Sequence, residues 1–226
     1  MHWLILLGLA IVVIAGPQWW VSQTLKRHSH PRNDLAGSGG ELASHLIERL
    51  KLSEVTVQGD AHADHYNPLE KTVCLTPAIA NQTSLTAIVV AAHEVGHALQ
   101  DATSYPPLRL RTRLAQLCTA LEKSGSILLV AIPVVMLITR IPQTGAMMLL
   151  LVVASVLAGV LLNIVTLPVE FDASFGRALP ILEQGEYLSP EDIPAARQIL
   201  TACALTYVAA SLLSMVNAWR WLRYRR

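Results

Sequence analysis

Long apolar runs without charged residues constrain this chain more than any other feature of its sequence. The first extends from Trp3 to Leu25, the second covers 124–168 with a short interruption at Arg140, and the third covers 198–219. About 20 consecutive apolar residues form a helix long enough to cross the hydrocarbon layer of a bilayer. The mean hydropathy of the whole chain, +0.44, is high for a water-soluble domain. The runs therefore predict an integral membrane protein that is mainly α-helical.

The middle run is too long for one crossing, so we interpret 126–167 as a hairpin of two transmembrane helices around a turn at Pro142. Tryptophan side chains favour the interface between lipid and water. Every tryptophan of the chain stands at an end of a predicted span: Trp3, Trp19, Trp20, Trp219 and Trp221. The pattern predicts about four transmembrane helices.

The predicted spans divide the chain into segments. They are a first transmembrane helix over 1–25, a polar domain over 26–125, the hairpin over 126–167, a second polar segment over 168–197, a last transmembrane helix over 198–219 and a basic tail over 220–226. Periodicity predicts that 26–125 is a small α+β domain. It contains short strands near 55–57, 64–66 and 72–75 and a long apolar helix over about 84–105.

Charge and cysteine content exclude some functions. The 17 basic and 16 acidic residues nearly balance, which gives no reason to expect nucleic acid as a partner. The three cysteines, Cys74, Cys118 and Cys203, form no CxxC pair. We interpret them as reduced, apolar side chains rather than as a disulfide framework or a cysteine zinc site.

The motif HExxH occupies positions 93–97 on the predicted apolar helix. At about 100° per residue, His93 and His97 lie one turn apart on one helix face, so both imidazoles can reach one metal ion. Glu94 lies beside that face, where a carboxylate can take a proton from an attacking water and pass it to a leaving amine. Two imidazoles and a carboxylate suit zinc. The pattern therefore predicts a zinc-dependent hydrolytic site.

The residues around the motif help to separate a functional site from a chance match. Gly96 costs about 1 kcal/mol relative to alanine in the middle of a helix, so its presence makes sense if something approaches the backbone closely. The alternative is a helix that carries two histidines and a glutamate without using them. Burial of three titratable groups on an apolar helix is costly without a use, which favours the metal site.

A site with two histidines needs a third protein ligand, and the segment LPVEFDASFGRALP offers Glu170 or Asp172. Two predicted spans separate His97 from this segment, which puts both on the same side of a membrane. The other acidic residues of 168–197 are interpreted as solvated charges: Glu183, Glu186, Glu191 and Asp192.

Three stretches, HEVGHALQ, LPVEFDASFGRA and ADHYNPLEKTVCLT, resemble the YugP-like family of neutral zinc metallopeptidases of bacterial membranes. The resemblance covers nearly the whole chain. More distantly, the layout is similar to the HtpX-like and CAAX-prenyl endopeptidases, in which a glutamate on a later helix completes the zinc site. The resemblance implies a gluzincin-like catalytic domain with one Zn²⁺ per chain. Its ligands would be His93, His97 and Glu170, with Glu94 as the general base.

The distant relatives have an aspartate four residues after the glutamate ligand. This chain has Ser174 at that position and Asp172 two residues after Glu170. The residue that orients a ligand histidine is therefore left open among Asp172, Ser174 and Asp101.

Three further residues are candidates for contact with the substrate. Arg177 can stabilise an oxyanion, and the alternative is a surface cation or a pair with Asp172. His65 and Tyr66 are candidates on an edge strand that receives the substrate backbone, near the reacting carbonyl. The alternative for this segment is an ordinary polar hairpin.

Together these features predict a membrane-embedded endopeptidase that cleaves membrane or membrane-proximal proteins. Its expected partners are a protein or peptide substrate and the lipid bilayer, with a membrane-protein partner or a homo-oligomer left open. Lys and Arg near the predicted spans favour a cytoplasmic active site at the bacterial inner membrane, although the basic tail argues against it. The alternatives are a non-catalytic zinc-containing scaffold or adaptor, and a metal-dependent hydrolase of a non-peptide amide.

Overall fold

The computed structural model of the chain describes residues 2–121 and 143–206. These residues are mainly helical, with one small sheet. The helices are α1 His2–Arg27, α2 Gly39–Arg49, α3 Pro77–Asn81, α4 Leu85–Ala102, α5 over 106–121, α6 Gln143–Phe171, a π-helix Asp172–Ala178, α7 Leu179–Gln184 and α8 over 193–206. The strands are β1 Thr56–Gln58, β2 His65–Asn67 and β3 Thr72–Cys74.

The chain forms two compact units. One contains Met1–Tyr105 together with Leu167–Arg226, and the other contains Pro106–Thr166. The first unit holds the sheet, α4, the π-helix and the hydrophobic core that joins them. All candidate site residues belong to this first unit.

The prediction of an integral membrane fold with about four transmembrane helices is wrong for the part of the chain that the structure describes. Among residues 2–121 and 143–206, no helix has both the length and the apolar character that crossing a membrane requires. The prediction rested on apolar runs in the sequence alone, and the described helices do not combine the length and the apolar character that the runs suggested. The predicted span over 126–139 and most of the one over 198–219 lie outside the described residues.

The helix α2 begins at a capping box formed by Ser38 and Glu41. The Ser38 hydroxyl accepts a hydrogen bond from the backbone N–H of Glu41 at 3.2 Å, and the Glu41 carboxylate accepts one from the backbone N–H of Ser38 at 2.7 Å. This exchange satisfies two N–H groups that have no partner within the helix. Leu42 and Leu46 lie on the buried face of α2, which packs against α4.

The three predicted strands are present, and they form a sheet in the order β1–β3–β2. The strand β3 pairs in parallel with β1, at the register Val57 to Val73, and antiparallel with β2, at the register Tyr66 to Val73. Val73 is fully buried, and both β2 and β3 pack against α4. The sheet therefore covers one side of the helix that carries the HExxH motif.

The helix α4 starts where Ser84 accepts a hydrogen bond from the backbone N–H of Ala87 at 3.2 Å. Nearly all of its residues are buried, because α2, α3, the sheet and the π-helix pack around it. A helix that is covered on most sides needs apolar residues around its whole circumference. The polar residues at its centre, which include His93 and His97, are therefore surrounded by protein.

The chain leaves α6 through a seven-residue π-helix, in which hydrogen bonds connect residues five apart. The backbone N–H of Leu179 accordingly donates to the carbonyl of Ser174. Pro180 follows directly and offers no N–H for an α-helical bond to Gly176. This wider turn changes which side chains share a face immediately after Glu170.

The segment before α2 is tied to the start of α8 by an ion pair. Both terminal nitrogens of Arg32 donate to Asp192, Nη1 to Oδ1 at 2.6 Å and Nη2 to Oδ2 at 3.0 Å. Asp192 precedes α8 directly, and Leu200 lies within that helix, fully buried. A bidentate pair of this kind fixes geometry as well as charge.

Candidate metal centre

Three titratable side chains from α4 and α6 meet in the buried interior of the first unit. The Nε2 atom of His93 lies 3.2 Å from Oε2 of Glu170, and Nε2 of His97 lies 3.3 Å from the same oxygen. All three side chains are buried, and only 1% of Glu170 is exposed. The helical spacing of four residues brings the two imidazoles to one face, as the sequence indicates. The three side chains form a group that can hold a metal ion.

The tautomer of His97 follows from the hydrogen bonds of Gln100. The Nε2 group of Gln100 donates to the carbonyl of Val169 and to Oδ2 of Asp172, each at 2.8 Å. The amide oxygen of Gln100 therefore faces Nδ1 of His97, at 2.9 Å, and can only accept. His97 must donate from Nδ1, which leaves the lone pair of its Nε2 directed toward Glu170.

The same reasoning applies to His93 and Ser174. The Ser174 hydroxyl donates to the carbonyl of Leu200 at 3.2 Å, so its oxygen is the acceptor toward Nδ1 of His93 at 3.1 Å. His93 therefore also carries its proton on Nδ1 and presents the lone pair of Nε2. Metal-binding histidines characteristically donate their other ring N–H to a protein acceptor in this way.

The donor set fits a zinc ion. Ligand atoms about 2.0–2.1 Å from zinc at tetrahedral angles lie about 3.3–3.4 Å apart, close to the 3.2 and 3.3 Å separations of the two histidine nitrogens from Glu170. Acceptor atoms this close need a proton or a cation between them. Two neutral imidazoles and one carboxylate leave a fourth tetrahedral position for a water or a substrate.

The charge state of Glu170 favours this role. Burial raises the pKa of its carboxyl, whereas His97 and His93, when they carry protons on Nε2, lower the pKa by more through their charge and hydrogen bonds, so the net value lies well below the usual range. A metal ion in place of those protons would act in the same direction, and the ionised carboxylate is the form that binds a metal ion.

The predicted general base, Glu94, is buried one residue after His93. Its charge influences Cys203 on α8: burial raises the pKa of the Cys203 thiol, and the charges of Glu94 and Glu170 raise it further. Cys203 is therefore a neutral, buried neighbour of the centre that the sequence did not indicate.

The structure separates the candidates for orienting a histidine. Ser174 contacts His93 directly, whereas Asp172 reaches His97 only through Gln100. Asp101 is placed elsewhere, because its carboxylate accepts hydrogen bonds from the hydroxyl of Tyr66 at 2.8 Å and from Nζ of Lys71 at 2.5 Å. Of the two candidates for the third ligand, Glu170 lies in the cluster and Asp172 lies outside it.

The three residues predicted to contact substrate have different surroundings. Arg177 donates from Nε to Asp172 at 2.8 Å, and its guanidinium lies over the ring of Tyr105 at 5.6 Å. Tyr66 is buried with its hydroxyl on Asp101, while His65 is exposed on β2, with Nδ1 2.9 Å from the carbonyl of Ala63. The ion pair with Asp172, which was the alternative for Arg177, is therefore present. A role of Arg177, His65 and Tyr66 in catalysis stays a prediction.

Gln100 is a further residue of this centre that the sequence analysis missed. It is fully buried and stands three residues after His97, in the stretch HEVGHALQ. Residues three apart are neighbours on a helix surface, so a polar residue at this position next to a ligand histidine was a usable signal.

Gly96 allows α4 and the π-helix to approach each other closely. A Cβ atom at this position would lie 2.7 Å from the carbonyl oxygen of Ala173. The expectation that another group approaches this glycine is therefore confirmed. The contact holds the backbone between Glu170 and Ser174 against the helix that carries both histidines.

Replacement of Gly96 by alanine is expected to destabilise the protein and to weaken metal binding. The added methyl group forces the backbone at Ala173 to move, which costs about 1–3 kcal/mol and outweighs the gain of about 1 kcal/mol in helix propensity. Thermal unfolding and zinc affinity measure the two effects. Gly159→Ala is the matched control, because a Cβ atom there meets nothing within 4 Å. Equal melting temperatures for the two variants would contradict the expectation.

Comparison with known proteins indicates the family to which the chain is similar. A family model described as "Putative neutral zinc metallopeptidase" matches residues 3–226. "Putative membrane protease YugP" of Bacillus subtilis (strain 168) is 30% identical over 207 residues, which is 91% of this chain and 88% of that protein. No solved structure matches the chain.

Proposed function

Because the chain belongs to the family described as "Putative neutral zinc metallopeptidase", we propose that it is a zinc-dependent endopeptidase acting on proteins at or near a membrane. One observation carries the proposal: Nε2 of His93 and Nε2 of His97 converge on Glu170 at 3.2 and 3.3 Å in a buried site. A cation shared by the two Nε2 atoms and the carboxylate accounts for this convergence, and two imidazoles with one carboxylate are a donor set that suits zinc.

The residues that would hold one zinc ion per chain are His93, His97 and Glu170. A bound zinc ion supplies Lewis-acid chemistry, which polarises the carbonyl of the scissile bond and makes water more acidic. The protein contributes the orientation of the ligands: Ser174 holds Nδ1 of His93, and Gln100 holds Nδ1 of His97. These contacts keep both Nε2 lone pairs directed at one point.

Glu94 is the proposed general base. It follows His93 directly on α4, and its side chain is buried beside the two histidines. A carboxylate at this point can accept a proton from the attacking water and deliver it to the nitrogen of the leaving amine. Exclusion of bulk water from a buried site strengthens the electrostatic interactions within it.

The edge of the sheet is the proposed contact for the substrate backbone. The strand β2 is at one end of the order β1–β3–β2 and packs against α4. Its outer edge offers main-chain N–H and C=O groups to which an extended peptide can add as a further strand. His65 is exposed on this strand, whereas the buried Tyr66 fixes the strand to Asp101.

The membrane part of the proposal is supported by the name of the relative, "Putative membrane protease YugP". Cell fractionation tests it directly. We expect the full chain in the membrane fraction of a bacterial cell, and recovery of the chain in the supernatant at low salt would contradict it. An active site on the cytoplasmic side stays a prediction.

Removal of the metal tests the proposed activity. The purified full chain is expected to contain about one zinc ion and to cleave an unfolded protein such as casein. Dialysis against 1,10-phenanthroline should abolish cleavage, and added zinc should restore it, because the ligands alone cannot polarise the carbonyl. A lipid amide is the comparison substrate. Cleavage of the lipid amide alone would indicate a non-peptide hydrolase, and stoichiometric zinc without any hydrolysis would indicate a scaffold.

A further inference from the structure

We propose that Gln100 is a positioning residue that fixes His97 and Glu170 relative to each other. The inference rests on the proposed zinc site, and it concerns a residue that the HExxH motif does not include. Gln100 is fully buried, so its amide has no access to water and must find every partner within the protein.

A single amide group connects the two helices that carry the ligands. Its oxygen accepts the hydrogen bond from His97, on the same helix, at 2.9 Å. One of its N–H groups donates to the carbonyl of Val169, the residue immediately before Glu170. A rotation of His97 and a displacement of the backbone at Glu170 would therefore each break a bond to Gln100.

The second N–H group of Gln100 binds a side chain that is itself held in place. It donates to Oδ2 of Asp172 at 2.8 Å, and the same oxygen accepts from Nε of Arg177 at 2.8 Å. The five-residue separation of Asp172 and Arg177 corresponds to one turn of the π-helix. The guanidinium of Arg177 also makes a cation–π contact, with its Cζ atom 5.6 Å from the centroid of the Tyr105 ring. Arg177 thus acts on His97 through Asp172 and Gln100.

The chemistry of this position requires an amide. A glutamate at position 100 could accept from His97, but it could not donate to Val169 or to Asp172. It would also place a carboxylate against Asp172 in a buried site, where an unmatched charge is costly. An apolar side chain of the same length would leave the carbonyl of Val169 and Nδ1 of His97 without their hydrogen bonds.

Metal affinity measures this role independently of catalysis. Gln100→Met preserves the length of the side chain and removes all three hydrogen bonds. We expect it to bind zinc about 10–100-fold more weakly in competition with a chromophoric chelator, which is the usual effect of losing a group that orients a ligand. The visible absorption spectrum of the cobalt-loaded protein should also change, because His97 is free to rotate. Gln82→Met, at an exposed position, is the matched control.

A charge exchange separates positioning from a general loss of packing. Gln100→Glu alone is expected to weaken zinc binding at least as much as Gln100→Met. Asp172→Asn alone should weaken zinc binding less than Gln100→Glu, since the asparagine oxygen still accepts from Gln100 although the charge opposite Arg177 is lost. In the double variant Gln100→Glu/Asp172→Asn, the new amide can donate to the new carboxylate. The double variant should therefore recover most of the affinity that Gln100→Glu loses.

The outcomes distinguish this inference from the proposed function. Wild-type zinc affinity in Gln100→Met, or a double variant as weak as Gln100→Glu, would overturn the positioning role. Zinc binding by the wild type without peptide cleavage would overturn the proposed activity and leave the comparison of affinities valid. A wild-type chain that binds neither zinc nor cobalt would overturn both. Circular dichroism of each metal-free variant verifies that the protein is folded, and Asp172→Asn with Gln100→Glu supplies the test if Gln100→Met does not fold.

Discussion

Glu94→Gln is expected to lose peptide hydrolysis by a factor of about 10²–10⁴ while it retains one zinc ion per chain. The change removes the basic oxygen and preserves the shape of a side chain that is buried beside His93. An amide cannot accept the proton of the attacking water, so the reaction loses its general base. His93, His97 and Glu170 are untouched, so the metal site stays intact. Cleavage of casein and metal analysis of the same preparation measure the two properties.

The matched control for this substitution is Glu48→Gln, which makes the same chemical change on the exposed face of α2. It should leave cleavage and zinc content unchanged. Substantial hydrolysis by Glu94→Gln would mean that another group acts as the base. Loss of zinc from Glu94→Gln would mean that Glu94 contributes to the metal site, contrary to its proposed role.

The second large effect is expected from Glu170→Ala, which should lose stoichiometric zinc. Both Nε2 atoms lie 3.2–3.3 Å from a single oxygen of this carboxylate, so its removal leaves two ligands in a buried pocket. We expect an affinity lower by more than about 100-fold, beyond the range seen for residues that only orient ligands. Metal analysis after dialysis, followed by a chelator titration, measures the loss.

Asp172→Ala is the informative comparison, because it removes a carboxylate two residues away from Glu170. Asp172 lies outside the cluster and reaches His97 only through Gln100. Its loss should weaken zinc binding by about 10-fold or less, the lower end of the effects of residues that orient ligands. If Asp172→Ala lost the metal and Glu170→Ala kept it, the assignment of the third ligand would be wrong.

Local patterns predicted the three strands and the HExxH helix of the first unit, but not its π-helix. The HExxH helix follows from apolar residues around a central motif and from Ser84 at its start. The short strands follow from β-branched residues between turn residues, as in Thr72–Cys74. These features depend on neighbours in the sequence, so the sequence contains the necessary information. The parallel pairing of β1 with β3 depends on chain closure over a longer distance and was not predicted.

His97 and Glu170 were expected to be close because two predicted membrane spans lie between them in the sequence. An even number of spans puts both residues on the same side of a membrane. The described residues contain no helix suited to such a span, yet the two side chains are 3.3 Å apart. The contact of Gly96 with Ala173 gives a different reason for the proximity, since it holds the π-helix against α4. The close approach expected at Gly96, for which the sequence named no partner, is present, whereas the described residues give no support to the argument from spans.

The surroundings of the centre were harder to predict, because the π-helix alters the spacing after Glu170. An α-helix would bring residues four apart together, whereas Asp172 and Arg177 pair at a separation of five. The contact of Tyr66 with Asp101 depends on how the sheet packs against α4, which no local pattern specifies. Such contacts are determined by tertiary packing, which local patterns in a single sequence do not predict.

The hydroxyl of Ser174 has a consequence for the electroneutrality of the buried centre. When both are ionised, Glu94 and Glu170 would together match the charge of one divalent cation, while Ser174 and Gln100 orient the histidines without adding charge. An aspartate at position 174 would add a third negative charge in a fully buried position. With a divalent cation bound, the serine would keep the centre neutral as a whole, and a neutral assembly is the form that an interior of low polarity tolerates best.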